Sequence, residues 1–136
     1  MKRYTMLAIA LVLGACKSEV VFVPPPPCGG PIEVMVSGTT TPEFSWIPAC
    51  GITNLTVRHE SATLEPDPWM WSFSVPESAP VGPALAYGKA PGHATVYLAP
   101  KSLIAGEVYR VTVTYVVGGD VVSATGTKTF TWYPPD

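Results

Sequence analysis

Between Glu107 and Tyr133 the sequence alternates apolar and polar residues, and that alternation most limits what the chain can fold into. Tyr109, Val111, Val113, Tyr115 and Val117 fall on one face of an extended strand, because successive strand side chains point to opposite sides. Gly118-Gly119-Asp120 supplies a hairpin turn, and Val121 to Tyr133 returns as the last strand. Upstream the same period recurs in shorter pieces. Ile32, Val34 and Val36 alternate with Glu33, Met35 and Ser37 as a first strand; Gly38 to Pro42 turns the chain; Phe44 and Trp46 share a face of a second strand ending at Pro48. Asn54 to Glu60 reads as a third strand and Trp69 to Val75 as a fourth, after the break Pro66-Asp67-Pro68. Pro76 to Gly92 is a long loop, and Ala94 to Leu98 a fifth strand. Beyond the N-terminal segment no ten-residue window carries a 3.6-residue apolar period, so essentially no helix is expected. About seven short strands with turn signals roughly every ten residues predict an all-β sandwich.

The N-terminus obeys a different logic. Lys2 and Arg3 precede an apolar run from Met6 that ends in Leu13-Gly14-Ala15-Cys16. A basic start, about ten apolar residues and small residues before a processing point form a secretory signal; a bilayer span needs roughly 20. Leu13-Gly14-Ala15-Cys16 resembles the lipobox of bacterial lipoproteins. That resemblance implies removal of residues 1–15 as a signal peptide, a diacylglyceryl thioether on Cys16 and acylation of its new amino group. The bilayer would then be a partner through Cys16, since a single acyl chain binds marginally while two or more anchor durably. Lys17 stands where aspartate in proteobacterial lipoproteins marks inner-membrane retention, which points to the outer membrane, on its periplasmic or surface face. Residues 16–30 form a tether whose Pro24 to Pro27 favours extended polyproline II, a semi-rigid spacer. The domain proper is read as residues 31–133.

The chain has 8 basic and 10 acidic residues; loss of Lys2 and Arg3 leaves 6 against 10, a formal charge of −4 without blocks of like sign. Nucleic-acid binding needs a basic patch, and none is present. Of three cysteines, an odd number for an exported protein, lipidation would remove Cys16 and leave Cys28 and Cys50 as an even pair. If the first two strands pair with Val36 opposite Phe44, the two cysteines fall at the same sheet end, close enough for a disulfide. Two separate thiols are the alternative.

A second resemblance covers roughly Pro31 to Tyr133. Glu43 to Pro48, with Phe44 two before Trp46, looks like the second strand of fibronectin type III domains. Leu103, followed six residues later by Tyr109, is similar to that family's tyrosine corner, although Ala105 and Glu107 stand where the family has Pro and Thr. The resemblance implies structural roles for Trp46, Leu103 and Tyr109, with the Tyr109 hydroxyl bonded to the backbone a few residues upstream, pinning a crossover between sheets. No Arg-Gly-Asp motif is present, so integrin binding does not carry over.

Residues for catalysis are sparse. His59 and His93 lack the company of ligands that zinc requires and read as surface or loop histidines, so no metal or cofactor is expected. No serine lies in Gly-x-Ser-x-Gly, and Glu60, Glu65 and Asp67 are too close together before a loop to flank a sugar across a cleft. A small hydrolase is therefore the weakest reading, and a non-enzymatic binding or structural module the preferred one. The one constellation with binding character is aromatic. Trp69, Trp71 and Phe73 share a strand face by period, which a half-buried strand needs for its core. The functional alternative leaves Trp69 and Trp71 partly exposed and joined by Tyr87 to stack on a sugar, making the chain a carbohydrate-binding accessory lipoprotein. An envelope protein or polysaccharide is the expected partner.

Overall fold

The computed structural model describes residues 23–60 and 68–135; the signal, Cys16, Glu65 and Asp67 lie outside them. Among the described residues there is no helix. Nine strands run in the order β1 (Gly30–Pro31), β2 (Glu33–Ser37), β3 (Glu43–Ile47), β4 (Asn54–His59), β5 (Trp69–Ser74), β6 (Leu85–Ala86), β7 (Thr95–Leu98), β8 (Val108–Val117) and β9 (Val121–Thr131). They form a six-stranded sheet, β1-β9-β8-β4-β5-β7, facing a three-stranded sheet, β2-β3-β6. The all-β sandwich is thus as expected.

The core lies between the sheets. Phe44 and Trp46 enter from β3; Leu55 and Val57, Trp71 and Phe73, and Tyr109, Val111 and Val113 enter from β4, β5 and β8. Strands β3, β4 and β8 bury alternate residues, and β8 keeps a strict in-out pattern as far as Tyr115. Val117 is the last residue of β8, at the end of the sandwich beside the Gly118–Gly119 turn, and is exposed. Gly118 and Gly119 turn the hairpin with φ of 64° and 87°, a left-handed conformation that glycine adopts without steric cost.

Val36 faces Phe44 and Val34 faces Trp46, the register expected for the first hairpin. The first strand, however, is shared between the sheets. Gly30 and Pro31 pair in parallel with Ala124 and Thr125 of β9, and the chain crosses at Ile32 to pair with β3. The Ile32 amide donates to the Thr125 carbonyl at 3.2 Å during the crossing. Alternation alone cannot show such a switch, because the buried set Ile32 and Val34 is the same on either path. The loop Pro76–Gly92 likewise holds a short strand: Leu85 pairs with Phe44, and the Tyr87 amide donates to the Pro42 carbonyl at 2.8 Å.

Cys28 and Cys50 form a disulfide with Cα atoms 4.8 Å apart. The Cys28 amide donates to the Gly51 carbonyl at 2.9 Å, and the Gly51 amide to the Pro26 carbonyl at 2.7 Å. Trp46 joins this knot, its indole N–H donating to the Cys50 carbonyl at 2.8 Å. A Cβ on Gly51 would lie 3.3 Å from Pro25 Cγ and 2.6 Å from Pro80 Cβ, so the proline segment runs against the sandwich from Pro25 onward.

Candidate functional site

Three residues nominated for ligand contact, Trp69, Trp71 and Tyr87, do not share a surface. In the pairing of β4 with β5, Val57 faces Trp71 and Arg58 faces Trp69, so Met70 is an extra residue in a β-bulge. A bulge reverses the side-chain alternation beyond it. Trp71 therefore points into the core and is fully buried, while Trp69 stands 45% exposed on the outer side. Trp69 and Trp71 thus do not share the face that simple alternation assigned them. Burial corrects the picture of Trp71 as a stacking platform: its ring packs against Phe73 at 5.1 Å and Tyr87 at 5.4 Å.

Tyr87 is likewise a packing residue. Its hydroxyl donates to the carbonyl of Lys101 at 2.6 Å and approaches that of Met70 at 3.3 Å. Burial, with a further contribution from nearby Tyr109, pushes the phenol up to about 12. A hydroxyl used in this way holds the 99–104 segment against β5 and is not displayed to a ligand.

Trp46 is buried in the core, and Leu103 packs on its margin. Tyr109 is buried too, and its hydroxyl accepts a hydrogen bond from the Ile104 amide at 2.8 Å. One geometric expectation is corrected. The segment preceding Tyr109 connects β7 to β8, which belong to the same sheet, so the corner does not pin a crossover between sheets. It closes the end of the six-stranded sheet, where the Gly106 amide also donates to the Trp132 carbonyl at 2.8 Å.

Around Trp69 the outer face of the large sheet is polar and ordered in rows. Ser72, Thr56, Thr112 and Thr127 lie side by side on β5, β4, β8 and β9; Ser74, Asn54, Thr114 and Thr125 form the adjacent row. A third row runs Trp69, Arg58, Arg110 and Thr129. The Arg58 guanidinium lies 5.8 Å from the centroid of the Trp69 ring, a cation–π distance. Arg110 pairs with Glu60, and Ser74 donates to the hydroxyl of Tyr97, itself 69% exposed on the edge strand β7. Hydroxyls, an amide, guanidinium groups and two aromatic rings thus share one face. Sequence reading missed this grouping, since it depends on the bulge at Met70. The serine and threonine spacing at every second residue was the available signal.

The histidine reading also needs correction for one residue. His59 is buried at the end of β4, where its Nε2 lies 2.8 Å from a Glu107 carboxylate oxygen and its ring packs on Tyr109 at 5.2 Å. It sits at an inward position of β4, opposite Tyr109, which explains its burial. His93 lies in a loop, exposed, 3.0 Å from the Ala79 carbonyl. Among the described residues no three His, Cys, Asp or Glu side chains group as a metal site.

At the end of the sandwich where the described chain begins, an open groove of about 680 Å³ lies beside Val23 and Pro25, with Pro80, Val81, Pro83 and Leu85 among its lining residues. No family model matches the chain, and comparisons with curated proteins and with solved structures found no similar protein.

Proposed function

We propose that the chain is a bacterial envelope lipoprotein, held in the outer membrane by lipid on Cys16, whose sandwich is a non-enzymatic binding or structural module. The observation that carries this reading is the Cys28–Cys50 disulfide. It consumes two of three cysteines and leaves Cys16, the last residue of the Leu13-Gly14-Ala15-Cys16 box, as the remaining thiol. The disulfide also belongs to an oxidising compartment, as export requires. Radiolabelled palmitate should enter the parent protein and a Cys28→Ser/Cys50→Ser variant but not Cys16→Ser. Equal labelling of all three, with unchanged detergent partitioning, overturns the anchor.

Trp69 supports a second, narrower reading in which the module binds an envelope polysaccharide. Its exposed ring lies beside rows of hydroxyl-bearing side chains, an arrangement suited to stacking on a pyranose while hydrogen-bonding its hydroxyls. Trp71 and Tyr87, being packed inside, take no part. Tryptophan emission should change on titration with isolated envelope glycans and should lose that response in Trp69→Ala. A response unaffected by Trp69→Ala assigns the ligand elsewhere.

A further inference from the structure

We propose that the outer face of the large sheet holds a second sugar subsite, a polar pocket beside Tyr97 that takes one neutral pyranose ring. The proposal rests on the polysaccharide reading for the kind of ligand and adds a contact well away from Trp69. The pocket has a volume of about 240 Å³, and Thr53, Asn54, Ser74, Glu77, Tyr97 and Gly119 are among its lining residues. Sites for drug-sized ligands run to ~300–1,000 Å³, so this smaller one suits a single ring. Trp69 and Ser74 stand at opposite ends of β5, roughly 15 Å apart with the bulge between them. One extended glycan, and not one sugar, reaches both.

Local structure sets the walls of the pocket. In the pairing of β5 with β7, Ser72 faces Leu98 and Phe73 faces Val96, so Tyr97 is the extra residue of a bulge on the edge strand. A bulge re-aims the side chain it carries. The Ser74 hydroxyl donates to that of Tyr97 at 3.0 Å, which holds the ring at the pocket although it is 69% exposed. The buried Thr53 hydroxyl accepts from the Val116 amide at 2.9 Å and donates to Asn54 Oδ1 at 2.7 Å. The Asn54 oxygen is thereby engaged, and its NH2 has no partner among the described residues. Glu77 accepts the Gly118 amide through Oε2 at 3.1 Å and has its other oxygen left to accept. Groups held in place before a ligand arrives cost little further ordering when it binds.

These groups select the ligand. An ionised Glu77 only accepts hydrogen bonds, the Asn54 NH2 only donates, and the Tyr97 hydroxyl, accepting from Ser74, has its own proton to give. A carboxylate or phosphate brings acceptors alone and meets Glu77, the one charged side chain among the described lining residues. An ammonium brings donors alone and leaves the Asn54 NH2 unmatched. A sugar hydroxyl both donates and accepts, and the C–H side of a pyranose covers the face of the Tyr97 ring. Neutral hexoses therefore fit the pocket and uronates do not.

NMR titration of the full chain in a zwitterionic detergent, free of sugar headgroups, tests the subsite. The methyl glycosides of glucose, mannose and galactose are the neutral probes, and glucuronic acid is the charged one. At least one neutral glycoside should shift the Asn54 side-chain NH2 and the Gly119 amide, while glucuronic acid shifts neither. Tyr97→Ala should weaken that binding about tenfold. Tyr97→Phe, which keeps the ring, should weaken it less. An unmoved Val113 amide in both variants reports an intact core. Shifts at the Trp69 indole alone overturn the subsite and leave the polysaccharide reading standing. Shifts at Asn54 and Gly119 alone support the subsite and remove Trp69 as a platform. The subsite is also overturned by silence with all three neutral glycosides, by an equal response to glucuronic acid, or by unchanged affinity in Tyr97→Ala.

Discussion

The amide of Ile104 donates to the hydroxyl of Tyr109 at 2.8 Å, so a residue near the start of β8 fixes the loop that delivers the chain into it. Tyr109 is buried, Phe130 packs on its ring at 5.8 Å, and His59 packs at 5.2 Å on another side. Tyr109→Phe keeps those ring contacts and removes only the acceptor. Leaving a partly buried N–H without its partner costs about 1–2 kcal/mol. Chemical denaturation should show that loss as a lower midpoint with an unchanged slope; an unchanged midpoint would remove the structural role of the hydroxyl.

The disulfide makes a larger and differently sourced contribution. Joining residues 22 apart restricts the unfolded chain, and the chain-entropy model gives about 3 kcal/mol for a loop of that length. Thermal unfolding with and without reductant should differ accordingly for the parent. In Cys28→Ala/Cys50→Ala the two curves should coincide. A parent insensitive to full reduction, verified by thiol counting, contradicts this account.

Much of this architecture was legible because strand alternation and hairpin chemistry are local. Val36 opposite Phe44, the Gly118–Asp120 turn and the cysteine pair all follow from counting along the chain. Three features could not be counted. The switch of sheets at Ile32 leaves the alternation of buried residues intact, the extra residue Met70 inverts Trp69 without altering composition, and the Leu85–Ala86 strand is too short to carry a period. His59 belongs with these. Its burial depends on Tyr109 and Glu107, about 50 residues away in the chain. The aromatic site fell apart for the same reason: nearness along β5 does not specify a shared face once a bulge intervenes.

That bulge gives two neighbouring tryptophans opposite fates under mutation. Trp71→Ala empties a fully buried position and should destabilise by about 3–5 kcal/mol, through lost burial and the cavity left behind. Trp69→Ala removes a ring that is 45% exposed and should cost about 1 kcal/mol or less. Urea titrations of the two variants decide the matter. Similar losses would mean that both rings belong to the core.

Tyr87 links stability to alkaline pH. Its hydroxyl is held neutral up to about 12 in the fold, whereas an unfolded tyrosine ionises near 10. Between those values the unfolded chain gives up a proton that the folded one keeps, so folding weakens as pH rises through this window. Below pH 10 both states are protonated and the effect vanishes. Tyr87→Phe should therefore be less stable than the parent at neutral pH, through loss of the bond to Lys101, yet show a shallower decline from pH 10 to 12. Parallel pH profiles for the two proteins would show that Tyr87 does not cause the decline.

Gly126 tests the sheet switch directly. It lies on β9 beneath the crossing segment, where a Cβ would fall 2.5 Å from the Ile32 carbonyl oxygen and 2.8 Å from Ile32 Cβ. Both obstacles belong to a strand held by its neighbours: Gly30 and Pro31 are paired with β9, and Val34 with Trp46. The side chain cannot be accommodated by rotating a flexible group, so the backbone has to shift. Gly126→Ala should cost about 1–3 kcal/mol through overpacking, despite the gain in strand propensity over glycine. An equivalent methyl at Gly92 meets nothing within 4 Å and serves as the control, with an expected change within about 0.5 kcal/mol. Hydrogen exchange adds the location: the Ile32 amide, bonded to Thr125, should lose protection in Gly126→Ala while Val113 in the centre of β8 keeps it. A variant as stable as the parent, with the Ile32 amide still protected, would mean that the crossing does not press on Gly126.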